Sequence, residues 1–116
     1  MKLLNRAALT VIPKQPYVDW ANTPDDAGPK LDINSPYYEY SVYLVDEVVD
    51  GEDVDSILRR YYRQMFENAP MDWHVVQKDW PKKRDFRMFQ EWCEVRVSSM
   101  VLDLCRGKLR AEKFED

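Results

Sequence analysis

The sequence predicts an α+β domain, a small, mainly antiparallel sheet with two helices packed on one face. Two observations point there. Leu3–Ile12 carries its apolar residues on one alternating face, and Tyr37–Val49 is dense in β-branched and aromatic residues, as strands require. Residues 53–67 instead repeat their apolar positions every three or four residues, as an amphipathic helix does.

In Leu3–Ile12 the residues Leu3, Ala7, Leu9 and Val11 share one face, and the strand is expected to stop at Pro13. From Lys14 to Pro36 the chain carries Pro16, Pro24, Gly28, Pro29 and Pro36, which cannot sustain regular hydrogen bonding. It reads as a long connection spanning 13–36, pinned by Tyr17, Trp20 and Ile33, with room for one helical turn at Val18–Ala21. Tyr37–Val49 is apolar on both faces, so the strand is expected to be central or covered on both sides. Asp50-Gly51 then turns the chain.

The helix that follows has Asp53 or Asp50 as its cap, and Val54, Ile57, Leu58, Tyr61, Met65 and Phe66 on its inner stripe. Asn68-Ala69-Pro70 reads as its stop. Trp73–Val76 is either a short strand or an aromatic loop. Asp85 caps a second helix carrying Phe86, Phe89, Trp92 and Cys93 on one face. Glu94–Leu104 reads as a strand with Val95 and Val97 inward, against a helical alternative. Met100, Leu102 and Leu104 have the other parity, so this strand needs a bulge or two buried faces. Residues 1–105 make one domain in this reading, and 106–116 a loose charged tail.

Composition narrows the class. The chain has 116 residues, 45% hydrophobic and 33% charged, with four tryptophans, seven tyrosines and four phenylalanines, enough for a real core. Asn5 and Arg6 interrupt the apolar start, which argues against a signal peptide, and no run approaches the ~20 apolar residues of a membrane span. Cys93 and Cys105 sit among apolar residues without a CxxC spacing and read as two reduced, buried thiols. The expected setting is the cytoplasm. Asp19–Asp55 holds eleven acids and one base, whereas Ser56–Lys113 holds thirteen bases and eight acids. The simplest meaning is attraction across the folded domain. The overall charge of −4 excludes the strong basic excess of a nucleic-acid binder.

A set of fragments resembles a family of small uncharacterised bacterial proteins. They are Val11-Ile12-Pro13-Lys14-Gln15-Pro16-Tyr17-Val18-Asp19-Trp20, Val42-Tyr43-Leu44-Val45-Asp46-Glu47, Trp80-Pro81 with Arg84, Phe89 with Trp92, and Ser99-Met100-Val101-Leu102-Asp103-Leu104. The resemblance spans about Leu9 to Leu104 and implies a bacterial, cytoplasmic protein. The family pattern often has a histidine where this sequence has Ser98, so no role of that histidine carries over. No function comes with the family.

The residues themselves offer little catalytic chemistry. His74 is the single histidine, which rules out a two-histidine metal site and leaves only a cysteine–histidine pair as a histidine-activated nucleophile. Three glycines write no phosphate loop. The acids from Asp46 to Asp55 miss the EF-hand spacing and serve better as helix caps. Arg59, Arg60 and Arg63 read as a solvated helix face rather than a phosphate site.

No catalytic residue, metal or cofactor is assigned. The favoured function is a non-catalytic protein-interaction or assembly module, binding another protein or itself as a homodimer, with neither nucleic acid nor membrane as partner. Its expected interface is Tyr17, Trp20 and Trp80, because rigid aromatics beside prolines make good anchors. The alternative is a small enzyme or ligand-binding protein using Asp19, Asp46, Glu47 and His74 beside aromatic walls. A deep pocket collecting carboxylates would favour the enzyme, and a flat apolar patch bearing tryptophan would favour the module.

Overall fold

The computed structural model describes residues 1–22, 32–72 and 85–113. Its elements run β1 (Lys2–Leu3), β2 (Ala7–Pro13), α1 (Gln15–Ala21), β3 (Ser41–Val45), α2 (Val54–Asp72), α3 (Phe86–Trp92), β4 (Cys93–Ser98) and β5 (Leu102–Asp103). The fold is α+β, and every strand pair is antiparallel. One sheet has the order β3-β2-β4, and β1 pairs with β5 in a separate two-stranded ribbon.

Alternation along β2 decides where the core sits. Ala7, Leu9 and Val11 face inward beside Val45 and Tyr43 of β3 and Val97 and Val95 of β4. Onto this face pack Ile57, Leu58, Met65 and Phe66 of α2 and Phe86 and Phe89 of α3. The apolar stripe read from the sequence is therefore the buried one, although Tyr61 is only half-buried and Val54 is exposed. Asp53 is the cap: its Oδ1 accepts the Ser56 N–H at 2.8 Å, and that bond holds its carboxyl below the usual carboxylate range. Gly51, at φ 85°, makes the preceding turn. Asp85 caps α3 in the same way, accepting the Met88 N–H at 2.9 Å.

Five expectations need correcting. The strand expected over Leu3–Ile12 is two, β1 and β2, and the second stops at Pro13 as expected, opposite Cys93, where a missing N–H interrupts no further pairing. The connection after it begins with a two-turn helix, because Pro16 stands in the first turn of α1, whose N–H groups have no intrahelical acceptor. The strand around Tyr43 is shorter than its composition suggested and lies at the sheet edge; the central strand is β2. Asn68-Ala69-Pro70 does not stop α2, which runs to Asp72. Glu94–Leu104 is two strands, not one. The second pairs with β1 one residue out of step with the β2–β4 ladder, since Ala8 faces Ser98 but Leu3 faces Leu102. The extra residue lies between Leu3 and Ala8, not within Glu94–Leu104, where the pairing breaks between β4 and β5 and leaves Met100, Leu102 and Leu104 exposed.

Trp73, His74, Val75, Val76 and Trp80 fall outside the described residues. Among those described, no helix is long and apolar enough to cross a membrane.

Candidate functional site

The aromatic cluster is built where α1 meets the end of α3. The Lys14 N–H donates to the Trp92 carbonyl at 2.8 Å, and Lys14 Nζ donates to the Gln90 carbonyl at 2.8 Å. A cation here suits the negative end of the α3 dipole. With α1 fixed in this way, Tyr17, Trp20 and Trp92 form a triangle with ring centroids 5.3 to 6.0 Å apart. Val18, Ile33 and Tyr38 complete it. Tyr17 is 4% exposed and Trp20 half-buried, so of these two anchors only Trp20 keeps surface. The pinning of the connection by Tyr17, Trp20 and Ile33 is as the sequence implied.

The candidate carboxylates are dispersed. Asp19 is exposed on α1 and accepts from Gln15 Nε2 at 2.7 Å. Asp46 follows β3, where the Tyr61 hydroxyl reaches its Oδ2 at 3.4 Å, and Glu47 is exposed beside it. Among the described residues, no charged side chain is buried and no three of the His, Cys, Asp or Glu groups gather to hold a metal ion.

The arginines of α2 already have partners within the chain. Arg59 pairs with Asp55 at 3.0 Å and lies 4.4 Å from the Phe86 ring centroid. Arg60 pairs with Glu52, and Arg63 Nε donates to the Tyr62 hydroxyl at 3.3 Å. They make a solvated helix face, as expected.

The cysteines differ from expectation in one respect. Both are free, but only Cys93 is buried, while Cys105 is exposed beyond β5. Burial pushes the Cys93 thiol up to about 12, slightly countered by Lys14. A thiol-specific reagent is therefore expected to label one cysteine per folded chain and two per unfolded chain, counted by mass spectrometry. A reducing agent should leave Tm unchanged; a marked fall would reveal a disulfide.

The feature that sequence reasoning missed is apolar surface. The outer face of the β3-β2-β4 sheet carries Val42, 60% exposed, and Leu44, opposite Thr10 and Ala8. On the ribbon, Leu3 is 65% exposed and faces Leu102, 45% exposed. Met100 and Leu104 share the parity of Leu102 and are more exposed still. The signal was present in the parity of Met100, Leu102 and Leu104, for which a bulge or two buried faces was expected. Comparison with protein-family models, curated proteins and solved structures finds no match.

Proposed function

We propose that this chain is a non-catalytic protein-interaction or assembly module. The observation that carries the reading is the β1–β5 ribbon, whose cross-strand pair Leu3 and Leu102 is open to solvent with Met100 and Leu104 alongside. Contiguous exposed apolar groups of this kind mark binding surfaces, whereas isolated ones do not. A two-stranded ribbon is also marginal on its own, so a covering partner would stabilise it. This surface is made of leucine, methionine and valine, and half-buried Trp20 lies apart from it in the α1 cluster. Two free thiols support a reducing, cytoplasmic setting.

The test is a photo-crosslinking amino acid placed at Leu102 and, separately, at Leu44. Discrete protein adducts are expected when the chain is expressed in cells. An absence of adducts at both positions would overturn the interaction reading.

A further inference from the structure

The two exposed apolar surfaces have rims of opposite charge. Val42 and Leu44 of β3 are followed at the same parity by Asp46, and Glu39 and Glu47 flank the strand, all exposed. Across the sheet the one base among the described residues, Arg96 opposite Thr10, is paired with Glu94 at 3.6 Å. No lysine or arginine occurs between Asp32 and Leu58. The ribbon is followed directly by Arg106, Lys108 and Arg110, also exposed, and Lys2 Nζ donates to the Gly107 carbonyl at 3.2 Å, which holds this basic segment beside β1. Half-buried Asp103 and the more distant Glu112 offset only part of that charge. Among the described residues, Glu39, Glu47, Arg106, Lys108 and Arg110 form no ion pair.

Resting on the interaction reading above, we propose that the ribbon of one copy docks on the β3 face of a second copy. Like surfaces repel in the alternatives. A β3 face against a β3 face sets Glu39, Asp46 and Glu47 against their own counterparts, and a ribbon against a ribbon opposes Arg106, Lys108 and Arg110 in the same way. Only ribbon on β3 face brings apolar groups together while opposite charges meet at the rim, which is how interfaces select a partner. Reciprocal exchange about a two-fold axis, the commonest symmetry of homo-oligomers, covers both surfaces of both chains.

Sedimentation velocity on the full chain tests this with two charge-reversed variants. One carries Arg106→Glu and Lys108→Glu, and the other carries Glu39→Lys and Glu47→Lys. The natural chain should self-associate and should dissociate as salt rises from about 0.05 M to about 0.5 M, where screening shortens to a few ångströms. Each variant alone should associate at least about tenfold more weakly, because like charges then meet. An equimolar mixture of the two should recover association, since in the mixed pair both contacts again join opposite charges. A monomeric natural chain, variants that associate as it does, or a mixture that stays monomeric would each overturn the proposal. Crosslinks in cells to a different protein, together with a monomeric natural chain, would overturn self-docking while leaving the interaction reading in place.

Discussion

Phe66→Ala is expected to lower unfolding stability by about 3–5 kcal/mol, the usual cost of removing a fully buried aromatic ring. Phe66 is 1% exposed on α2, and its ring lies 5.7 Å from that of Phe89 and 5.8 Å from that of Trp92. The site is walled by side chains from both helices, so a void left there cannot close by moving one element. For a domain whose total stability is about 5–15 kcal/mol, such a loss brings the folded state near its limit. Urea denaturation of the purified variant measures it. A loss below about 1 kcal/mol would mean that α2 presents another face to the sheet.

Trp92→Ala should cost about 3 kcal/mol, the low end for a large aromatic because the ring keeps some surface. Its wider effect comes from position. Trp92 touches Tyr17 and Trp20 on one side and Phe66 on the other, so it joins the α1 cluster to the main core. The variant should therefore expose α1 selectively, and proteolysis within Gln15–Ala21 should rise before the rest of the chain becomes sensitive. Equal protection of α1 in the variant and the natural chain would show that the two backbone and side-chain bonds from Lys14 hold the helix unaided.

The helices were the most legible part of the sequence, for a local reason. Ile57, Leu58, Met65 and Phe66 are spaced by the helix period, and Asp53 and Asp85 stand at their caps, so each signal lies within a few residues of its effect. Strand placement depends on neighbours distant in the chain. Tyr37–Val49 has the composition of a central strand, yet nothing local says that β2, with its small Ala7 and Ala8, will take that place. α1 was hidden because Pro16 reads as a breaker unless its first-turn position is known. The candidate site divides in the same way. Tyr17, Trp20 and Ile33 were rightly read as anchors of a connection, whereas the strand of Val42 was expected to be central or covered on both sides and that of Leu102 to need a bulge or two buried faces. Alternation tells which residues share a face, but not whether that face is covered.

The ribbon extends the β2–β4 ladder by a few residues: Lys2 and Leu3 meet Asp103 and Leu102 in only two residue pairs beyond Ala8 and Ser98. With so few pairs to break and its side chains exposed, this segment should open and reclose far more often than the β2–β4 ladder. The Leu4 amide, donated to the Val101 carbonyl at 2.9 Å, lies at the base of the ribbon. Its deuterium-exchange rate becomes a gauge of occupancy, because a ligand that binds only the closed ribbon slows exchange in proportion to the fraction bound. Association and local order then become one measurable quantity, read at a single backbone nitrogen.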